Sequence, residues 1–320
     1  MSDFKLLMLG AMYENGGNTT HRFLDGHPQL YVYPFESQPG SRHVQDGFTS
    51  MFPVKYRWPE FLLDATPAQD YHAIIDEEGK VRSRTPHVSK FRHEPFDMND
   101  DERRDIYLSI IEKTGRSRAN NVAAFFEATH KAWKDNVQTG EEEFYVGYSP
   151  IIVIDAEKIL SDMPNAHFLH VVRNPWSAYA DTKKRPVPLP LREYILRWNV
   201  NQNAALAAKR AFPERMHIVR AEDVMADSVG TLTTQVLEPM GLRSADSLAV
   251  PSWNSKELTE VYPWGTIRTA TPEANLATAN ELSDDEQTQV RNIAHDLLAP
   301  LGYESFLEDG QASEPVALTV

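Results

Sequence analysis

The sequence predicts an α/β protein: a parallel β-sheet flanked by helices, with a P-loop-like turn after the first strand and an irregular insertion after the first strand-helix unit. Three observations predict it. Short, nearly continuous apolar runs recur along the chain, as buried parallel strands require. Helical patterns separate those runs, and that alternation is the signature of a parallel sheet covered on both faces. A glycine-containing loop joins the first run to the first helical segment.

The first strand is Phe4-Lys5-Leu6-Leu7-Met8-Leu9-Gly10. The loop Glu14-Asn15-Gly16-Gly17-Asn18 follows it, and Thr19 to Leu24 continue as a helix. Residues 40–99 are rich in Pro, His, Arg and aromatics without clear periodicity, so they read as an irregular insertion on the substrate side of the sheet. The second strand, Phe168 to Arg173, and the third, Met216 to Arg220, are of the same apolar kind. Between them Tyr194, Ile195, Trp198 and Leu206 mark a long helix over Leu191–Ala211 that packs on the sheet. Ser283 and Glu286 have capping-box spacing ahead of Val290, Ile293, Ala294, Leu297 and Leu298, so a helix starts there. Residues 1–307 are expected to form one domain and 308–320 a flexible tail.

Composition narrows the function classes. The 320 residues carry 32 Lys+Arg against 46 Asp+Glu, a net charge of −14, which disfavours nucleic acid and anionic membranes as partners. There is no cysteine, so disulfides, thiolate catalysis and cysteine metal sites are excluded. The longest apolar run near the start, Leu6–Leu9, is too short for a signal-peptide core, and no other segment has membrane length, so a cytoplasmic protein is expected.

A glycine turn between strand and helix presents backbone N–H groups beside the positive end of the helix dipole, which suits phosphate or sulfate. The Lys-Ser/Thr pair of the nucleotide triphosphatase loop is missing, which argues against an ATPase or kinase. There is no Gly-x-Ser-x-Gly elbow for a hydrolase. His87, His93 and Glu94 lack the spacing of a helical zinc site, and no metal is expected. Trp58, Tyr71, Trp253, Tyr262 and Trp264 would either line an acceptor pocket or belong to the core.

Two stretches carry a family resemblance. Phe23-Leu24-Asp25-Gly26-His27-Pro28-Gln29 with the preceding loop resembles the donor loop of bacterial sulfotransferases of the tyrosylprotein-sulfotransferase-like kind. Pro164 to Pro175, ending in Arg173-Asn174-Pro175, resembles that family's second signature. Softer likenesses are Arg220-Ala221-Glu222-Asp223 and the segment Leu282 to Gly302-Tyr303, so the similarity covers roughly residues 4–36 and 144–303.

The resemblance implies a transferase that moves a sulfuryl group from phosphoadenosine phosphosulfate (PAPS) to a hydroxyl of a small-molecule or glycan acceptor. It puts the donor on Asn15, Gly16, Gly17, Asn18 and Thr19, with Arg173, Ser177, Asp181 and Arg268 around the 3′-phosphate. It also implies Glu36, in Pro34-Phe35-Glu36, as the base, with His21 and Arg22 beside it. Three positions depart from the pattern: Glu14 stands at the basic loop position, Tyr148 at the Lys of a Lys-Thr-Pro segment, and Asp181 at the phosphate-binding Ser. Each removes a positive charge or adds a negative one. Arg22, Arg42, Lys55, Arg57, Lys183, Lys184, Arg185 and Arg268 are available to compensate, the 183–185 run reading equally as a solvated basic turn. The departures leave a second expectation open, a protein of this fold that has lost its donor or exchanged it for a less anionic one.

Overall fold

The structure is a computed structural model that describes residues 3–259 and 271–309. In chain order its first elements are β1 (Leu6–Ala11), α1 (Gly17–Leu24) and β2 (Leu30–Glu36). The insertion then carries α2 (Pro67–Ala73) and α3 (Glu77–Arg84), and α4 (Asp100–Thr114) and α5 (Arg118–Ala132) lead to β3 (Phe144–Tyr148). The second half runs α6 (Ala156–Asp162), β4 (Ala166–Val172), α7 (Pro175–Lys183), α8 (Leu191–Ala211), β5 (Met216–Arg220), α9 (Ala221–Ala226) and α10 (Ser228–Leu232). A two-stranded ribbon, Ser252–Trp253 with Lys256–Glu257, precedes α11 (Pro272–Ala279) and α12 (Asp284–Leu298).

The five main strands form one parallel sheet in the order β2-β3-β1-β4-β5. Strand side chains alternate between two cores, as a period of two demands. Leu6, Met8, Tyr33, Phe35, Phe168 and Met216 pack with α4, α5, α6 and α8. Leu7, Leu9, Ala11, Val146, Leu169, Val171 and Val219 pack with Leu24, Val224, Leu232 and Val236 on the other face. A third cluster, Met12, Val172, Trp176, Tyr194, Trp198, Val290 and Leu297, closes the C-terminal end of β1 and β4 against α7, α8 and α12.

The expected helix over Leu191–Ala211 has those ends, and the box at Ser283 and Glu286 forms with both hydrogen bonds. β2 and β3 are strands that the apolar-run reading did not name. Pro34 lies inside β2, whose register with β3 shifts between Val32 and Glu36, and Gly147 lies inside β3, which blurs both patterns. The insertion is irregular for much of its length, but it contains α2 and α3 and is tied down by buried charge. Arg57 pairs with Asp155 at 2.7 Å, and Arg103 pairs with Asp76 at 2.8 Å and with Asp100 at 2.6 Å. Among the described residues no helix is long and apolar enough to cross a membrane, and no cluster of three or more metal-ligating side chains occurs. The expected tail lies, from residue 310 onward, outside the described residues.

Candidate active site

The site lies at the C-terminal edge of the sheet, where β1 turns into α1. Glu14 (φ 61°) and Gly16 (φ 82°) both adopt left-handed backbone, and the Asn15 N–H donates to the Met12 carbonyl at 3.1 Å, closing a tight turn. No side chain caps α1 and its first turn has no acidic residue. The first N–H groups of the helix are therefore aimed outward without a side-chain partner, the arrangement that accepts an anion.

Gly17 is required by close approach. A Cβ there would come within 2.7 Å of the Ala11 Cβ and of the Tyr148 ring. Tyr148 thus lies directly against the loop, and it pairs in register with Glu36 on its other side. Glu36 ends β2 and is partly exposed, and burial together with the nearby Glu36 charge raises the Tyr56 pKa. The loop, Tyr148 and Glu36 consequently form one short row across the edge of β1, β3 and β2.

The two signature stretches meet through Asn15, whose side chain is fully buried. Its Oδ1 accepts the Arg173 N–H at 3.0 Å and the Trp198 indole N–H at 3.2 Å. Its amide nitrogen donates to the Tyr13 carbonyl at 2.8 Å and the Tyr194 hydroxyl at 3.1 Å. Four hydrogen bonds saturate it, so its side chain positions the loop rather than facing open space.

Arg173 follows the last residue of β4 and is held on three sides. Its Nε donates to Asn275 Oδ1 at 2.8 Å, and its Nη1 donates to the Glu14 carbonyl at 3.0 Å and to Asp181 Oδ2 at 2.7 Å. Burial opposes ionisation of Asp181, but Arg173 and Lys184 outweigh it and hold the carboxyl below its usual range. Lys184 reaches the other Asp181 oxygen at 3.1 Å.

Five of the other basic side chains named above are similarly engaged. Lys183 pairs with Glu286, Lys184 also with Glu281, Arg185 with Glu14, Lys55 with Glu77, and Arg57 with Asp46 as well as Asp155. These five cations are thus paired with the chain's own carboxylates.

Other expected residues are placed differently from the sequence expectation. The Ser177 hydroxyl is buried and donates to the Asn275 carbonyl at 2.7 Å, so it serves the α7–α11 contact rather than an open hollow. His21 is buried with its ring 5.5 Å from that of Tyr148, and desolvation pushes its pKa well below the ordinary value, so the imidazole is neutral. Arg22 is buried, lies 4.6 Å over the Trp253 ring, and donates to the Pro34 carbonyl at 2.6 Å. It therefore fixes the end of β2 two residues before Glu36. Desolvation lowers its pKa to about 10, which leaves it charged at neutral pH. Of the aromatics, Trp58, Tyr71 and Trp253 belong to the core. Arg268, Tyr262 and Trp264 lie outside the described residues.

Sequence reasoning noted the Arg220-Ala221-Glu222-Asp223 segment but missed what its Glu does. Glu222 Oε1 accepts from the Asn174 N–H at 3.0 Å, the Asn174 amide at 2.8 Å and the Asn275 amide at 2.9 Å. Its Oε2 accepts from the Tyr303 hydroxyl at 2.8 Å. This buried carboxylate orients the Asn275 that holds Arg173, coupling the ends of β4 and β5 to α11.

A family model described as "Sulfotransferase family" matches residues 16–246, which include the loop glycines, Glu36 and Arg173. The chain belongs to the sulfotransferase family. No curated protein matches it significantly. Among solved structures, this chain is similar to the sulfotransferase domain of the Synechococcus PCC 7002 olefin synthase, at 15% identity and a TM-score of 0.48, over 91% of this chain and 95% of that one. It is also similar to the sulfotransferase domain of the curacin biosynthetic pathway (14%, 0.45, 92% and 98%). A further likeness is to the sulfotransferase STF9 from Mycobacterium avium (12%, 0.43, 93% and 77%). These likenesses are distant and identify neither donor nor acceptor.

Proposed function

We propose that this sulfotransferase moves a sulfuryl group from PAPS to a hydroxyl of a small-molecule or glycan acceptor, with Glu36 as the base. The observation that carries the reading is the short row of uncapped loop, Tyr148 and Glu36 at the sheet edge. It sets an anion cradle and a carboxylate beside each other with one aromatic ring between them.

In the transfer, the bond from the donor's phosphate oxygen to sulfur breaks and a bond from the acceptor oxygen to sulfur forms. The acceptor proton passes to Glu36. The charge left on the phosphate oxygen falls on the N–H groups of Gly17, Asn18 and Thr19 at the start of α1. Arg22 acts through the strand by holding Pro34, and His21 contributes a neutral ring behind Tyr148. Arg173 is the candidate partner of the donor's second phosphate. To engage it, that phosphate displaces Asp181, whose carboxylate already has Lys184 as an alternative partner. Since Lys184 stays on Asp181 and the phosphate takes its place on Arg173, the exchange leaves neither charge without a partner.

A second reading is favoured by that same pair. With Asp181 on Arg173, the site presents one anion cradle rather than two, which suits a donor without a charged ribose 3′ position. Two measurements separate the readings. Incubation with labelled PAPS and a panel of phenol, alcohol and sugar acceptors should release phosphoadenosine phosphate (PAP) in step with acceptor labelling. Calorimetry should give tighter binding of PAP than of AMP. The reverse order supports the exchanged donor, and no transfer and no binding of either nucleotide at millimolar concentration removes both.

A further inference from the structure

The insertion brings a second carboxylate to Glu36. The Glu36 N–H donates to Glu78 Oε2 at 3.2 Å, and the other Glu78 oxygen pairs with Lys90. The Glu78 side chain is only 11% exposed. Neither the family match nor the donor loop gives it a role.

Its placement is fixed by the start of α3. Asp76 sits there in left-handed backbone (φ 36°), fully buried between the Tyr33 hydroxyl and Arg103. The Asp76 N–H donates to the Gln38 carbonyl at 2.9 Å, and the Glu77 N–H to Gln38 Oε1 at 2.7 Å. Gly79 completes the clamp, since a Cβ there would approach Asp76 Oδ2 to 2.6 Å and the Tyr33 hydroxyl to 2.7 Å. The first turn of α3 is thereby bolted to β2 and to the two residues after it, and Glu78 is the side chain that this turn extends to Glu36.

We propose that Glu78 is a positioning residue for Glu36: its carboxylate accepts the hydrogen bond from the Glu36 N–H, so the setting of the base depends on whether Glu78 is ionised. This rests on the reading of Glu36 as the base. A charged acceptor makes a shorter and stronger hydrogen bond than a neutral one. The charged and titratable groups that face Glu78 are Glu36 from β2, Lys90 from the loop after α3, Arg22 from α1, Tyr56 from the turn before α2, and Tyr148 from β3. Burial and the Glu36 charge raise the Glu78 pKa to about 7, against the pull of Lys90. Glu78 therefore changes charge across the neutral range, losing its proton as pH rises.

The test reads the contact and its consequence separately. In 15N-labelled protein the Glu36 amide should move with pH about a midpoint near 7, and this titration should vanish in Glu78→Gln, which keeps an acceptor that does not ionise. A Glu36 amide titration unchanged in Glu78→Gln overturns the proposal. In PAPS turnover with the best acceptor of the panel, kcat of Glu78→Ala should fall about tenfold with acceptor KM within twofold. Glu78→Gln should recover most of that loss while losing the rising limb of kcat near pH 7. Wild-type kcat in folded Glu78→Ala, or a wild-type pH limb in Glu78→Gln, overturns it as well. Absence of transfer by the wild type defeats the sulfotransferase reading instead, and the amide titration then decides the contact alone.

Discussion

The Arg173 guanidinium and the Asp181 carboxylate stand 2.7 Å apart, eight residues apart in sequence and one on each side of the turn from β4 into α7. The chain has thus placed a carboxylate of its own where the family resemblance expects a hydroxyl that assists a phosphate. Asp181→Ser should free the guanidinium and remove a repulsive charge, tightening PAP binding by about tenfold, or ~1.4 kcal/mol. AMP affinity should stay within twofold. Calorimetry on the wild type and this variant checks both numbers.

Glu36→Gln keeps the shape of the strand end and removes the proposed base. Loss of a positioned general base costs about 10²- to 10⁴-fold in rate. kcat for PAPS turnover should fall by that factor while PAP affinity remains within twofold, because the role proposed for Glu36 is toward the acceptor.

Asn15→Ala tests whether that side chain is structural. It would leave the buried indole N–H of Trp198 with only the Arg173 carbonyl and the Arg173 N–H without its acceptor. Each buried donor left unsatisfied costs about 1–3 kcal/mol. A fall in unfolding free energy of about 2–3 kcal/mol is expected from denaturant titration, with a matching loss of PAP affinity as the loop loosens.

Stability should also report Glu78. A carboxyl whose pKa is raised on folding binds its proton more tightly in the folded chain, so its contribution is fully present below the unfolded value near 4.3 and is lost as pH rises through about 7. Wild-type unfolding free energy should therefore decline relative to Glu78→Gln between about pH 4.5 and 7, by at most about 3 kcal/mol. Parallel chemical denaturation curves of the two proteins at pH 5 and pH 8 measure it.

Much of this was legible in the residues. The apolar runs at Leu6 and Phe168 gave β1 and β4, and the two signatures they carry do converge, through one buried amide. Charge partners were not legible, because they are set by packing between distant segments. Lys183, Lys184 and Arg185 read as free cations in sequence, whereas Glu286, Glu281 and Glu14 meet them in the fold. Ser177 lies near Arg173 in sequence, but on α7 its hydroxyl turns to Asn275. Glu78 was invisible because its relation to Glu36 is made by α3, within a stretch whose pattern gave no helix.

The central claim is that the loop after β1 and the arginine after β4 together hold the donor. Titrating PAP into wild-type and Arg173→Ala protein measures it directly. The account predicts micromolar binding to the wild type and a loss of about 10- to 100-fold in a variant that remains folded, as removal of a charged hydrogen-bond donor implies. Equal affinity in the two proteins, or no binding to the wild type at millimolar PAP, would contradict it.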